Sequence, residues 1–452
     1  MDGSSLRSRL HGLAQQVMAT LRSSFWLRPT LFSIVALAIV VAVVVVPIPS
    51  GWLDAVPLPL PEFDDVGSLF RLVAGSSLTI ATVSLSVIMV LLNMVGSQGS
   101  PRALPELMAD KVVQSALGAF VGTFVFGVAG LLATGFPLGR ERSAILLLLG
   151  VLAALFLLRW LVHLITHVTD LLKLGRLVER VHRSAARALA RCFADGDAAA
   201  AGASVAFLGI AEGELVHHRQ SGFLVLVDRE ALAGLAARRG LVIDILLREG
   251  EFASPLRPIA RIDRLDRLET GQREEVLRQL RAALTIAQER IATRDPVFAL
   301  GLLAEIAARA LSPGVNDPGT ALVCLEYAGD LLARGALRGP AQWAPDVVAN
   351  GRVRLRRPDF PLLLDAGTTW IARHGADNLD VIGPVTEMLG RLARLAHPVW
   401  RDAIEEQLSR VAELARKKLP TDAERRRFDT LAARALEACR SEERLVVDPL
   451  GG

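Results

Sequence analysis

At 452 residues the chain has room for two or three domains of ordinary size. It is 52% hydrophobic with a mean hydropathy of +0.39, and the excess lies before residue 170, which argues against a wholly soluble protein. The formal net charge of +4 comes from arginines interspersed with acids. That gives nucleic-acid binding little support and fits a basic face towards anionic lipid heads. Cys192, Cys324 and Cys439 are scattered with no C-x-x-C pair, so a disulfide framework and a structural zinc site are both disfavoured.

Four segments are long and apolar enough to cross a bilayer, which takes about 20 helical residues. They lie at about 31–46, 72–95, 112–136 and 144–168, within a membrane domain of residues 1–170. The start resembles a secretory signal, but no small-residue cleavage site follows Val46 and three further spans come after it. Arg7, Arg9, Arg22 and Arg28 precede the first span, and Lys173, Arg176, Arg180, Arg183, Arg187 and Arg191 follow the fourth. The first loop carries Asp54, Glu62, Asp64 and Asp65. The expectation is a multi-pass protein of the cytoplasmic (inner) membrane with both termini cytoplasmic, although Arg140 and Arg142 oppose it from the third loop.

The second span is unusually polar. At about 100° per residue, Gly75, Thr79, Thr82, Ser86 and Asn93 share one narrow face, and Ser97 continues it. One reading is close helix packing; the other is a hydrated path on which hydroxyls and an amide replace part of an ion's water shell. In the third span, Gly118 and Gly122 form a G-x-x-x-G pair, suited to close approach of a neighbour within the subunit or between subunits. The fourth span ends in Arg159, His163, Thr166, His167 and Asp170 on one face. They either snorkel to the interface beside Trp160 or form a proton- or ion-sensing cluster. No third ligand accompanies the two histidines, so no metal site is expected.

Residues 171–200 read as a basic helix, prolonging the fourth span, and then a linker at Asp195-Gly196-Asp197 and the following alanines. A small β-rich module is expected over 201–268, with strands at 223–227, 241–243 and 252–262 and a helix at 231–238. A helical domain over 269–440 follows, with helices at 273–292, 297–311, 319–333, 360–374, 379–395, 399–418 and 423–440 and a hairpin at 347–355. The tail is 441–452. Arg294-Asp295-Pro296 and Ser312 through Pro318 are its most distinctive strings. In each, an aspartate is placed to cap a helix that starts with proline, with Gly314 ending the helix before.

No phosphate-binding loop, dinucleotide fingerprint, H-E-x-x-H or G-x-S-x-G string occurs, so no enzyme and no cofactor are expected. Together, Ser97-Gln98, Ser100-Pro101-Arg102, Leu117-Gly118, Gly122 through Val125, Arg294-Asp295-Pro296 and Ala310 through Pro318 carry a resemblance. They resemble a bacterial family of predicted membrane proteins of unknown function (domain-of-unknown-function family 2254). Gly99 departs from its pattern, where a bulky aromatic is expected. The resemblance implies a membrane location and four spans, and no activity.

The fold expected is thus an α-helical integral membrane protein with a cytosolic α+β region. The function expected is an oligomeric channel or transporter-like protein in the lipid bilayer, its ion or solute unspecified, tuned by its cytosolic part. The alternative is a membrane-tethered scaffold or sensor that binds a cytosolic partner. The two differ in where the second span's polar face goes: a pore needs it to meet symmetry mates, whereas a scaffold can bury it within one subunit.

Overall fold

The computed structural model describes residues 27–47, 63–98, 110–136, 139–171, 174–201, 206–210 and 212–441. The chain divides into two compact units, one carrying the apolar helices and the other beginning at Leu174.

In the first unit the helices are α1 (Leu27–Val45), α2 (Phe63–Gln98), α3 (Lys111–Ala133) and α4 (Arg140–Leu171). All four contain stretches long and apolar enough to cross a membrane. Pro29 sits in the first turn of α1, where its missing N–H costs nothing. Most of the expected boundaries move outward. α2 begins at Phe63, so Asp64 and Asp65 belong to its first turn rather than to the loop. α3 begins after Asp110, whose carboxylate accepts from the N–H groups of Val112 at 2.8 Å and Val113 at 3.2 Å.

α3 is the packed centre of this unit, and its glycines explain why. A Cβ on Gly118 or Gly122 would meet Phe32 and the backbone of α1 at 2.8–3.2 Å; one on Gly127 would meet Ala74, and one on Gly130 would strike the Phe70 ring. Phe70 in turn packs on Phe126, with ring centroids 5.6 Å apart. Backbones held this close gain dispersion contacts along their length, which is how helices associate where no hydrophobic drive separates them from lipid.

The second unit opens with α5 (Leu174–Ala201). Asp195 through Ala200, expected as linker, continue this helix, as the high helix propensity of an alanine run favours. Two sheets follow. Strands β1 (Glu214–His217), β2 (Gly222–Val227), β3 (Ile243–Ile245), β4 (Phe252–Ala253) and β5 (Pro258–Ile262) surround helix α6 (Arg229–Arg239). Helix α7 (Thr270–Ala282) ends ten residues short of the expected 292, and β6 (Leu284–Ala287) takes its place because it pairs with β2. β7 (Asp346–Val348) and β8 (Val353–Leu355) form the expected hairpin. The strand orders are β1-β5-β3-β8-β7 and β4-β2-β6, with β3 and β8 parallel and the other pairs antiparallel. The β-rich part therefore reaches beyond 201–268: strands 284–287, 346–348 and 353–355 complete its sheets.

The other helices are α8 (Pro296–Ala310), α9 (Pro318–Ala336), the short α10 (Pro340–Trp343), α11 (Phe360–Gly375), α12 (Leu379–Leu395), α13 (Arg401–Lys418) and α14 (Asp422–Arg440). Phe193, Trp343, Phe360 and Trp400 form a buried aromatic cluster, with ring centroids 5.1–6.4 Å apart, that ties α5 to α10 and α11. α14 starts with a capping box in which Thr421 and Glu424 satisfy each other's backbone N–H.

Candidate functional site

Residues of α2 alternate between a packed face and an open one. Val66, Phe70, Val73, Ala74, Ser77, Ser84 and Ile88 are buried. At about 100° per residue the polar face lies on the far side of the helix from these, and Gly75, Thr79, Thr82, Ser86 and Asn93 are all exposed in the single subunit. A Cβ on Gly75 would meet nothing within 4 Å. Among the described residues the stripe is therefore not a packing face. Apolar Leu72, Met89 and Val90, more than half exposed, border it.

Each hydroxyl on the stripe is oriented by its own helix. Thr79 donates to the carbonyl of Gly75 at 2.9 Å, Thr82 to that of Leu78 at 2.9 Å and Ser86 to that of Thr82 at 3.0 Å. The hydroxyl protons are thereby committed, and what the stripe presents outward is oxygen lone pairs. A row of fixed acceptors suits a cation or the hydrogens of water better than an anion.

Gly118 and Gly122 have the opposite fate. Both are buried against α1, so their close approach is used inside the subunit.

The ionisable group of α4 divides. His167, half-buried, places Nε2 3.0 Å from Oδ1 of the buried Asp110, the residue that caps α3. Arg159 and His163 are exposed, and His163 lies edge-on to Trp160 with centroids 5.6 Å apart. The side chain of Asp170 lies outside the described residues, as does that of Ser97. The His163 and His167 rings are 6.3 Å apart, and among the described residues no group of three metal-ligating side chains gathers around them. Contacts of Ile88 with Val113 and Leu117 put the C-terminal end of α2 beside the N-terminal end of α3, the same end of the bundle as the Asp110–His167 pair.

In the second unit the two aspartate–proline strings are helix starts. Asp295 accepts from Phe298 N–H at 3.0 Å, with Pro296 in the first turn of α8, and Asp317 accepts from Thr320 N–H at 3.1 Å, with Pro318 opening α9. The Thr320 hydroxyl donates to Asp317 at 2.6 Å, and these contacts hold the Asp317 carboxyl below its ordinary value. Between α8 and α9 the left-handed residue is Asn316 (φ 47°) rather than Gly314. Asp295 also receives Arg290, and Gly250 (φ 90°) lies so close that a Cβ there would collide with its carboxylate.

Sequence reading missed two pairings. One is Asp110 with His167, which are 57 residues apart, although an aspartate immediately before an apolar run is itself a capping signal. The other joins α5 to α9: His182 Nε2 lies 2.7 Å from Asp330, which also pairs with Arg334, and the His182 ring lies 4.7 Å from that of Tyr327, the one tyrosine in the chain. Nothing local in the sequence marks it.

A family described as a predicted membrane protein, DUF2254, matches residues 22–391. Uncharacterised proteins of Mycobacterium bovis and of Mycobacterium tuberculosis strain H37Rv are each 23% identical to the chain over 434 residues, covering 93% of it and 82% of their own length. No solved structure matches it.

Proposed function

The chain belongs to the predicted membrane protein family DUF2254, and on that premise we propose that it is an oligomeric channel or transporter-like protein rather than an enzyme. The observation that carries the reading is the polar stripe of α2, turned outward from its own bundle. Facing lipid, five polar or small positions in a row would contribute little; facing copies of itself around an axis, they would line a hydrated path. A scaffold would have no use for polar groups left open in this way. The committed hydroxyl protons favour a cation as the permeant species.

In this reading the protein sits in the inner membrane with both termini cytoplasmic, and the second unit is cytosolic and tunes conduction. The basic flanks support that orientation. A cysteine introduced at Ser68 is then labelled by an impermeant thiol reagent on intact cells, and one at Ser441 is not. The reverse pattern reverses the orientation.

The functional test is ion flux from proteoliposomes of purified, cross-link-verified oligomer, comparing wild type with Thr82→Leu. Cation flux that Thr82→Leu largely abolishes is the expected result. No flux above empty liposomes for any common cation or anion sinks the proposal, and flux unchanged by Thr82→Leu moves the path away from α2.

A further inference from the structure

A cavity of about 340 Å³ opens within the second unit, bounded by α5, the start of α6, the turn after β3, the N-terminus of α8 and the segment after β8. Its wall carries six arginines, Arg191, Arg229, Arg248, Arg294, Arg356 and Arg357, and no lysine. Three carboxylates share the wall, so guanidinium groups are in surplus.

Those carboxylates are already occupied. Asp295 is held by Arg290, which stands outside the wall, and by the Phe298 N–H. Asp346 lies 3.0 Å from Arg229 and 3.8 Å from Arg357. Glu249 accepts from Val227 N–H at 3.0 Å; its burial pushes its carboxyl up, against the pull of the Val227 N–H and of Arg294, Arg229 and Arg191. Three guanidinium groups are left over. The guanidinium groups of Arg294 and Arg356 make no hydrogen bond or salt bridge among the described residues, although Arg294 acts on Glu249 by its charge. Arg248 approaches Glu251 only at 3.9 Å, and its Nη1 is buried without a hydrogen bond.

Like charges gathered around one space repel each other, and the buried Nη1 of Arg248, without a hydrogen bond, bears a desolvation cost. An anion in the cavity relieves both. We propose that this cavity binds a small phosphate-bearing anion, held by Arg248, Arg294 and Arg356. Phosphate fits better than a single carboxylate. It carries more than one negative charge, and its oxygens accept from several guanidinium forks at once, the chemistry for which arginine surpasses lysine. The volume is at the small end of the range for ligand sites. The helix dipole of α8 is not the attraction, since Asp295 and Pro296 already close that terminus. The Arg-Asp-Pro string thus divides its labour: Asp295 fixes the helix start and the Gly250 turn, while Arg294 faces the ligand.

The test is calorimetric titration of the full-length protein in detergent with inorganic pyrophosphate and orthophosphate. Saturable pyrophosphate binding is expected, weakened at least tenfold (about 1.4 kcal/mol) in an Arg294→Gln/Arg356→Gln double variant. It should be unchanged in Arg416→Gln, whose partner is Asp429 on another surface. Glu249→Gln keeps the acceptor for Val227 and removes negative charge, so it should tighten binding. Competition by dihexanoyl phosphatidic acid distinguishes the source: displacement at lower concentration than orthophosphate assigns a lipid headgroup, and failure to displace assigns a soluble phosphate compound; both retain the phosphate chemistry. The proposal is overturned by absence of saturable pyrophosphate binding to folded wild-type protein, by equal weakening in Arg416→Gln, or by weaker binding in Glu249→Gln, which would mean that surplus positive charge does not hold the anion.

Discussion

The two units solve the same packing problem against different surroundings. In the second, large apolar side chains such as Phe360, Ile243 and Phe428 are wholly buried, and the helices carry charged outer faces. In the first, Leu31, Ile34, Leu72, Val90 and Leu155 are half or more exposed, while the close contacts involve glycine and alanine. Side-chain burial holds the second unit together; in the first, a few buried rings such as Phe70 and Phe120 are joined by close backbone approach at glycines. The contrast is the one expected when one unit has lipid as its solvent and the other has water.

That contrast can be broken by substitution. Phe360→Ala removes a ring from the aromatic cluster and should cost about 3–5 kcal/mol, read as a lowered unfolding transition of the second unit with the first unit's helicity retained. Gly122→Val puts bulk where Phe32 and its backbone already stand and should cost about 1–3 kcal/mol, read as lost thermal stability of the first unit in detergent. If Phe360→Ala and Gly122→Val shift both transitions equally, the two units do not behave as separately packed bodies.

A smaller effect sharpens the picture of the second unit. Asp317→Ala should cost about 0.5–2 kcal/mol by uncapping α9, with Asp317→Asn tolerated, in chemical denaturation. Because the folded-state carboxyl is held below its ordinary 3.8, chiefly by the Thr320 hydroxyl and N–H, this stability is complete above that pH. It is lost as pH falls through the lower folded-state value, and the Ala variant should lack that loss. Gly75→Val should leave thermal stability of the subunit unchanged, since its Cβ has open space; a change confined to oligomer formation or flux would place a neighbouring copy at the stripe. The smallest effect is a null one. Burial pushes the Cys324 thiol up to about 12 and Cys439 to about 11, so neither should react with maleimide at pH 7 until the protein is denatured.

Helices were legible wherever a local pattern dictated them. The apolar runs of α1 to α4 and the start of α12 at Leu379 after the capping Asn378 could be read from neighbouring residues alone. The strand Leu284–Ala287 could not, because it extends a helical pattern and becomes a strand only by pairing with β2, some 60 residues earlier. The stripe on α2 was visible as a periodicity, but which way it faced depended on where α3 and α4 pack. The surplus arginines after β8 gave no signal until the fold brought them beside Arg248 and Arg294.

The parallel pairing of β3 with β8 has a consequence for the protein's birth. Asp244 of β3, 3% exposed, has its partner in Arg354 of β8, 110 residues downstream, whose Nε donates to it at 2.9 Å. At synthesis rates of about 5–20 residues per second, β3 leaves the ribosome roughly 5–20 s before β8 does. Over that interval the nascent sheet ends in an open edge at β3, with a carboxylate still awaiting its guanidinium. Translation speed through residues 246–355 therefore sets how long that open edge is available to other chains.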